Sequence, residues 1–380
     1  MNILGKHMYS FGASLLYGLG SLLIPKKKGL YAFRLVHDPK KFAGNIRALL
    51  EYATGEKEAE DLVLLANVRW LSSQLPAQPD FQLVEGSLRR FWMSLRAQYL
   101  LIDSYTGLYR YGRFSIIQLG HGAGYKNIGL LRDDLSNWRR RHLHRIYRNY
   151  KLVVASSPSN LEKKNASFGV KTAVITGLPR NDVFFNENKE RVQGLKARWD
   201  LLPYSKIIGY APTFRDFETQ PPFSNDFWRQ LQEELAAQEI LFIIKKHPWD
   251  RLLEVPDQYQ NIQDLSGKLS AEEFMMVSDW LVTDYSSIAT DYALTQKPIL
   301  IYAYDFEAYQ KHCRSIYYDL EKVLPRPFLT SPKALLNSIR DQGWITARDT
   351  RESYVRFQEE FHSFRDGNSS ARVWHEIKKL

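Results

Sequence analysis

The sequence predicts an α/β chain of two domains, each built around a parallel sheet. Short apolar runs alternate with longer amphipathic stretches along the 380 residues, which is the pattern of strand–helix units. The length suits two domains of ordinary size, and a hydrophobic fraction of 44% supplies the side chains for two cores. A polar helical stretch, 186–199, separates two sets of predicted strands and ends near Pro203, so we expect the hinge there.

The predicted strands fall on either side of that stretch. In the first half they are Leu62–Asn67, Gln98–Asp103, Ser115–Leu119, Lys151–Ala155 and Thr172–Thr176. In the second half they are Lys206–Tyr210, Ile240–Lys245, Trp280–Thr283 and Pro298–Tyr302. The predicted organisation is an N-terminal segment 1–28, a first domain 29–190, a second domain 191–345 and C-terminal helices 346–380 that cross back to the first domain.

The composition points to an anionic partner. The formal net charge of +10 attracts nucleic acid, anionic lipid or phosphate-bearing substrates. Nothing in the sequence resembles an aromatic–basic RNA platform or a recognition helix, so we expect no nucleic-acid partner. The single cysteine, Cys313, excludes an intramolecular disulfide and a cysteine-based metal cluster.

The N-terminal segment predicts an amphipathic helix lying on a membrane surface. Its apolar residues recur at steps of three and four: Leu4, Met8, Phe11, Leu15, Leu19 and Leu22. A basic rim, Lys26, Lys27 and Lys28, follows this stripe. The segment is too short and too interrupted by glycine to span a membrane. A signal peptide is the other alternative, but no small-x-small cleavage site follows the apolar run. A helix docked on the protein's own core is the alternative.

A second basic run covers 137–151 and contains no acidic residue. Its first three arginines, Arg139, Arg140 and Arg141, are predicted to contact phosphates of a membrane lipid or a polymer. Ion pairing with acidic neighbours elsewhere in the fold is an equal alternative.

Two polar clusters follow predicted strands of the first half, where ligands bind in open parallel sheets. The turn Gly120–Lys126 holds His121 between glycines, whose backbone N–H groups can approach an anion closely. A histidine there can act as a general base near neutral pH. In Gly177–Asp182, a Gly-x-Pro turn holds Arg180 ready to contact a phosphate. Ordinary structural turns are the alternative for both.

The second half supplies two further clusters. Tyr210–Arg215 and Lys245–His247 each follow a buried strand, and the latter is a cationic group suited to a diphosphate. Asp284–Asp291 ends a strand and opens a helix, so Ser286 and Ser287 lie where free N–H groups favour phosphate. A simple helix cap would need only one of the two serines.

The order of these motifs resembles that of the glycerophosphotransferases and related polyol-phosphate transferases of teichoic-acid synthesis, with their capsule-polymerase relatives. That family's core has a His-Gly-Thr-Pro-type turn, Gly-x-Pro-Arg-Asn-Asp, Tyr-Ala-Pro-Thr-aromatic-Arg-Asp, a basic-x-His-Pro element and Asp-Tyr-Ser-Ser. The resemblance covers residues 115–325 and implies a GT-B fold, two Rossmann-like domains with a cleft between them. Ala123 and Gly124 replace the family's Thr-Pro, and Lys245 stands where an arginine is common.

The resemblance implies a role for each matching residue. His121 falls on the family's proposed catalytic base, and His247 is expected to assist catalysis as charge moves to the leaving group. The positions expected to bind the CDP-polyol donor are Gly122, Ala123, Gly124, Tyr125, Arg180, Pro212, Thr213, Lys245, Lys246, Ser286, Ser287 and Asp291.

The implied reaction moves glycerol phosphate from CDP-glycerol to a hydroxyl of a lipid-linked saccharide or a growing wall or capsule polymer, and CMP leaves. A CDP-ribitol donor and a GT-B glycosyltransferase acting on a nucleotide sugar are the alternatives. We expect no cofactor and no obligatory metal, since no carboxylate pair with metal-ligand spacing lies beside the motifs. Closure about the hinge should accompany binding. The expected location is the cytoplasmic face of the cell membrane, with an anionic membrane surface as partner.

Overall fold

The computed structural model describes residues 3–56, 61–66, 71, 75, 79–186, 189–215, 217, 219–247, 250, 252–312 and 315–380, with side chains from residue 11 onwards. The chain forms two compact units. Unit 1 comprises Met1–His121, Ile128–Asp182 and Asp366–Leu380, and unit 2 comprises Gly122–Asn127 and Val183–Arg365.

Unit 1 is built on a parallel sheet of seven strands in the order β3-β2-β1-β4-β5-β6-β7. The strands are β1 Lys27–Arg34, β2 Asp61–Leu65, β3 Gln82–Val84, β4 Ala97–Ile102, β5 Ile116–Gln118, β6 Tyr150–Ala155 and β7 Ala173–Ile175. The helices are α1 Ile3–Leu23, α2 Gly44–Gly55, α3 Ser87–Arg96, α4 Asn137–Tyr147, α5 Pro158–Phe168 and, from the end of the chain, α14 Ser369–Lys378.

Unit 2 has a parallel sheet of six strands in the order β10-β9-β8-β11-β12-β13. The strands are β8 Lys206–Ala211, β9 Ile240–Ile244, β10 Ile262–Asp264, β11 Trp280–Thr283, β12 Ile299–Tyr302 and β13 Phe328–Leu329. The helices are α6 Lys189–Arg198, α7 Asn225–Ala237, α8 Ala271–Val277, α9 Ile288–Tyr292, α10 Phe306–His312, α11 Leu320–Val323, α12 Pro332–Arg340 and α13 Arg348–Phe361.

All nine predicted strands are present. Strand β9 shows most clearly why the sequence predicts them. Its five residues, Ile-Leu-Phe-Ile-Ile, are all buried, because a parallel strand covered on both faces reads as one apolar run. The sequence missed β1, β3, β10 and β13. Strand β1 begins at Lys27, inside the run that was predicted as the basic rim of the first helix.

Helix α1 packs onto unit 1 through small residues and one tyrosine. The ring centroid of Tyr17 lies 4.7 Å from that of Phe91 and 5.4 Å from that of Tyr109. Gly18 lies so close to Tyr111 that an added Cβ would come within 2.9 Å of its side chain. The glycines that lower helix propensity therefore permit this close contact.

The opposite face of α1 carries the predicted apolar stripe. Its described members are exposed, as are two further leucines of the helix: Phe11, Leu15, Leu16, Leu19, Leu22 and Leu23. Leu4 and Met8 lie outside the residues whose side chains are described. Within that described part, the stripe faces away from the core instead of docking on it. None of the described helices is both long and apolar enough to cross a membrane.

The C-terminal helix belongs to unit 1. The backbone N–H groups of Ser369 and Ser370, at the start of α14, donate to the Asp182 carboxylate at 2.8 and 2.7 Å. A carboxylate at a helix N-terminus satisfies free N–H groups and favours the helix dipole. The predicted turn 177–182 thus caps a helix almost two hundred residues away, rather than the next one along the chain.

Candidate active site

His121 lies in the turn that follows β5. Gly120 on one side of it has φ +67° and Gly122 on the other has φ +141°, a backbone that favours glycine. The imidazole Nδ1 lies 3.1 Å from the Asp103 carbonyl oxygen. The ring stacks on that of His37, with centroids 4.2 Å apart and planes 7° from parallel.

These contacts fix the tautomer of His121. A backbone carbonyl only accepts hydrogen bonds, so Nδ1 carries the proton and Nε2 is left as the basic atom. Desolvation lowers the pKa of His121, and the charges of His37, Lys164 and Arg180 lower it further, while the bond to the Asp103 carbonyl opposes them. The residue nevertheless remains exposed to solvent. Its neutral form is therefore present at physiological pH, as a general base requires.

Two cations stand behind the His121 turn. Lys164, on α5, is buried, and its ammonium would lie 3.0 Å from a Cβ added at Gly120. Burial and the nearby charge of Arg180 lower the pKa of Lys164 to about 8. The positive charge of Arg180 lowers the pKa of both His121 and Lys164. Sequence reasoning missed Lys164, although it lies on the helix that follows β6.

Asn45 joins the two polar turns of unit 1. Its buried side chain donates to the carbonyls of Leu119 and Gly120 at 3.1 and 2.8 Å. Its amide oxygen accepts from the backbone N–H of Arg180 at 3.0 Å. One side chain therefore sets the position of the His121 turn against that of Arg180. Asn45 and His37 were missed because each is far from its partners in sequence and belongs to no recognised motif.

The residues of the glycine turn that belong to unit 2, Gly122 onwards, have two different settings. Gly124 lies beside Ser287, since a Cβ added to it would be 3.7 Å from the Ser287 Cβ. Ala123 and Tyr125 are instead buried in the core of unit 2. Asp291 is completely buried and raises the pKa of Tyr125, second to the effect of burial itself.

A buried ion network holds the two strand-end motifs of unit 2 together. The Arg215 guanidinium contacts Asp284 at 2.9 Å and Asp305 at 2.7 Å, and all three side chains are at most 4% exposed. Thr213 donates its N–H and its hydroxyl to Asp284. Thr213, which was predicted to bind the donor, thus positions Asp284 through its backbone N–H and its hydroxyl. The Tyr285 hydroxyl donates to Asp305 at 3.2 Å.

The cationic group of unit 2 is more dispersed than the sequence suggested. The Lys245 ammonium donates to the Leu269 carbonyl at 2.6 Å. The Lys246 ammonium forms an ion pair at 3.3 Å with the carboxylate of Asp264, the last residue of the neighbouring strand β10. His247 remains exposed, with its ring 5.4 Å from that of Phe214. Pro212 lies between β8 and Thr213, and Pro248 falls outside the described residues.

The two serines sit at the start of α9, as predicted. Ser287 is the residue before the helix, yet its side chain makes no capping hydrogen bond. The Ser286 hydroxyl accepts a long bond of 3.4 Å from the Ile288 N–H. The simple helix-cap explanation therefore does not account for Ser287. Both side chains are partly exposed.

The basic residues predicted to contact membrane or polymer differ in their settings. Lys26 donates to the Leu95 carbonyl at 2.7 Å, and Lys27 pairs with Asp61, so both are engaged within unit 1. Lys28 is exposed in β1.

The three arginines at the start of α4 also differ in their contacts. Arg140 donates to the Leu130 carbonyl at 3.0 Å, whereas Arg139 and Arg141 are exposed. Over the described part of the chain, no cluster of three or more His, Cys, Asp or Glu side chains is arranged to hold a metal ion.

Comparison with known proteins identifies the family. A family model for CDP-glycerol:poly(glycerophosphate) glycerophosphotransferase matches residues 19–379. The chain is 28% identical over 378 residues to a teichoic acid glycerol-phosphate transferase of Staphylococcus aureus, covering 94% of each protein. It is 33% identical over 273 residues to a teichoic acid poly(ribitol-phosphate) polymerase of Bacillus spizizenii, covering 69% of this chain and 43% of the relative.

The fold is similar to that of a solved relative. A variant of the wall teichoic acid polymerase TagF, from a crystal soaked with CDPG, matches 97% of this chain and 93% of its own, with a TM-score of 0.82 and 21% identity. This likeness confirms the predicted α/β fold of GT-B type. The family match confirms the predicted enzyme class, a transferase of glycerol phosphate. The chain belongs to the family of CDP-glycerol:poly(glycerophosphate) glycerophosphotransferases.

Proposed function

We propose that this enzyme moves glycerol phosphate from CDP-glycerol to a hydroxyl of a lipid-linked saccharide or of a growing wall or capsule polymer. The observation that carries the proposal is the state of His121. It is a neutral imidazole whose Nδ1 is held as a donor by Asp103, so that Nε2 is the basic atom. The comparisons support the substrate class, because the family model and the Staphylococcus aureus relative both name glycerol phosphate.

In the proposed reaction the acceptor oxygen attacks the phosphate that carries the glycerol. An O–P bond to the acceptor forms, the P–O bond to CMP breaks, and the acceptor proton passes to Nε2 of His121. Lys164 and Arg180 supply positive charge near that turn, where charge develops in the transition state. Asn45 positions the turn through hydrogen bonds and is not itself expected to touch substrate.

In unit 2 we assign the donor's diphosphate to the start of α9. The Ser287 hydroxyl is not used as a cap, and Gly124 beside it permits close approach of a ligand. Lys245 adds positive charge and His247 adds an imidazole N–H at the end of β9, and both are proposed to stabilise CMP as it leaves. Asp291, Ala123 and Tyr125 shape this region from within the core.

Measurement of the released nucleotide tests the donor. The purified enzyme should release CMP from CDP-glycerol only when a hydroxyl acceptor is present. The same preparation should release neither UDP nor GDP from sugar nucleotides, which are the donors of a GT-B glycosyltransferase. Release of UDP or GDP with no CMP would overturn the proposal.

CDP-ribitol is a second candidate donor. The specific observation in its favour is the similarity to a poly(ribitol-phosphate) polymerase, although the chain spans less than half of that protein. The two polyols differ in length, so a direct comparison of kcat/KM for CDP-glycerol and CDP-ribitol with one acceptor decides between them.

Ser287→Ala should weaken donor binding without lowering the melting temperature, because the lost hydroxyl caps no helix. Loss of one hydrogen bond to a charged diphosphate corresponds to roughly a tenfold rise in the donor Kd. Calorimetric titration with CDP-glycerol and a melting curve provide the two measurements.

Ser270→Ala is the matched control for this variant. Ser270 forms a complete capping box with Glu273 at the start of α8, so its loss should cost about 0.5–2 kcal/mol of stability and leave donor affinity unchanged. If Ser287→Ala behaves like Ser270→Ala, the serine is structural and the donor assignment is wrong.

We further propose that the exposed face of α1 lies on an anionic membrane surface. Leu16, Leu19 and Leu23 are 62%, 61% and 81% exposed. Two residues that the sequence analysis missed, Leu88 and Trp92 on α3, are also exposed. Exposure of several large apolar side chains is typical of interaction sites, and the net charge of +10 favours anionic lipid.

Replacing Leu16, Leu19 and Leu23 together with Gln should reduce binding to anionic vesicles more than tenfold and leave activity on a soluble acceptor intact. Full burial of one leucine side chain in the membrane contributes about 1.5–3 kcal/mol to binding. The three side chains together therefore contribute enough for a large effect even if each is only partly inserted. The docked face of α1, including Tyr17, is untouched, so the fold should persist.

Vesicle sedimentation at low and high salt is the measurement. Leu202→Gln is the control, because Leu202 is an exposed leucine of unit 2. Full sedimentation of the triple variant would place the membrane contact elsewhere. A truncation of residues 1–28 would be a poorer test, since it removes Lys27 and Lys28 from β1.

A further inference from the structure

A cavity of about 590 Å³ opens in unit 1 beside helix α4. The loop after β4 contributes Tyr105 and Arg110 to its walls. One face of α4 contributes Trp138, Arg139 and His142, at the spacing that places residues on the same side of a helix. The volume is typical of small-molecule sites, which span roughly 300–1,000 Å³.

Arg110 is a buried cation that forms no ion pair with the described residues. It is only 8% exposed, and its Nε has no hydrogen-bond partner among the residues that the structure describes. Its guanidinium lies 5.3 Å from the ring centroid of Tyr111. Burial, followed by the charges of Arg110 and Arg145, lowers the pKa of His142, so the surroundings are cationic. A buried N–H donor without a hydrogen-bond partner is costly, and a bound anion would relieve that cost.

The mouth of the cavity combines positive charge with aromatic surface. Trp138 is 68% exposed, and its ring lies 5.2 Å from that of His142 at 31° to its plane. Arg139 is exposed next to it, and Tyr105 is exposed on the facing loop. Aromatic faces accept the C–H faces of sugars and polyols, whereas arginines bind phosphate oxygens through two N–H groups at once.

The loop that forms the cavity also orients the base. Tyr105 comes two residues after Asp103, whose carbonyl fixes the tautomer of His121. Between them, the Ser104 carbonyl accepts from Gln118 at 3.4 Å, and Gln118 ends the strand that leads to the His121 turn. The cavity and the base are therefore parts of one loop cluster in unit 1.

We propose that this cavity is an acceptor subsite, in which Arg110 and Arg139 bind a phosphate ester and Trp138 and Tyr105 contact the saccharide or polyol beside it. The inference rests on the proposed function for the identity of the acceptor. It assigns the phosphate to the acceptor and not to the donor, because none of the residues proposed to bind the donor lines this cavity. A phosphate of this kind belongs either to a polyol-phosphate polymer or to a lipid-linked saccharide diphosphate.

Steady-state kinetics with two acceptor probes test the proposal. One probe is a short glycerol phosphate oligomer, and the other is a disaccharide linked through diphosphate to a short prenyl chain. Arg139→Gln and Trp138→Ala should each raise the KM for an acceptor and leave the donor KM unchanged. For Arg139→Gln the acceptor KM should rise roughly tenfold, as expected for the loss of one charge-assisted hydrogen bond. Both side chains are exposed, so these variants should fold.

Arg110→Gln should have a larger effect on the acceptor KM, and a melting curve shows whether it is folded. Lys171→Gln is the control, because it removes one positive charge from an exposed site of the same unit. An effect with the oligomer alone identifies polymer phosphate as the ligand, and an effect with the prenyl probe alone identifies the lipid diphosphate. Folded Arg139→Gln and Trp138→Ala with unchanged acceptor KM for both probes would overturn the proposal.

A binding measurement separates this inference from the proposed function. Tryptophan fluorescence titration with the oligomer, without any donor, should show saturable binding that Arg139→Gln weakens. If the wild-type enzyme binds the oligomer in this way and yet releases no CMP, the proposed reaction fails while the subsite stands. If CMP is released and the titration is identical in wild type and variant, the subsite is wrong.

Discussion

His121→Ala is expected to reduce CMP release by 10²–10⁴-fold, the usual contribution of a general base, and to leave the donor Kd unchanged. The variant removes the only imidazole nitrogen that the Asp103 contact leaves basic in this turn. His144→Ala, an exposed histidine of the same unit, should retain full activity. A loss smaller than about tenfold would remove His121 from the role of base.

The pH profile gives an independent check on the same residue. Because the pKa of His121 is lowered, its neutral form persists as the pH falls, so kcat/KM should stay level through pH 6.5 and decline only below it. The charge of His37 contributes to the lowered pKa of His121, so His37→Ala should raise that pKa and move the acid limb of the kcat/KM profile to higher pH. An acid limb at or above pH 6.5 in the wild-type enzyme would contradict the described environment of His121.

Arg215→Met is expected to destabilise unit 2 by about 3–5 kcal/mol, because it leaves two carboxylates buried without their cation. Transfer should also fall, since Asp284 leads directly into Tyr285 and the two serines at α9. Arg215→Lys keeps the charge but lacks the planar fork that contacts both carboxylates, so its effect should be intermediate. Chemical denaturation and CMP release measure the two effects.

Arg229 provides the matched control. It also contacts two carboxylates, Asp226 and Glu233, but on the exposed surface of α7. Solvent and salt screen such pairs, so Arg229→Met should change neither stability nor activity appreciably. Equal effects of Arg215→Met and Arg229→Met would show that burial of the network does not matter.

The strands and their polar ends were predictable because apolar runs and local motifs carry the signal. Strand β9 is recognisable from five apolar residues, and the Lys245–His247 cluster follows from it directly. Strand β1 was not predictable in this way. Its first two residues are lysines, and its position inside the sheet depends on pairing with β2 and β4, which lie far along the chain.

The contacts within each part of the candidate site were harder to predict than its residues. Arg215, Asp284 and Asp305 each follow a strand, and they meet because β8, β11 and β12 are neighbours in the sheet. The strand order therefore brings the Thr213 hydroxyl to the Asp284 carboxylate, to which it donates. Similarly, Asn45 reaches Gly120 and Arg180 only through the fold, so no local pattern announces its role.

Mass spectrometry of the product is the most direct test of the proposed reaction. A defined hydroxyl acceptor is incubated with the enzyme and CDP-glycerol, with CDP-ribitol or a sugar nucleotide in parallel reactions. We predict that the acceptor gains whole glycerol phosphate units, matched one for one by released CMP. An acceptor that gains a sugar and no phosphate, or that stays unmodified with CDP-glycerol while gaining ribitol phosphate from CDP-ribitol, would contradict it.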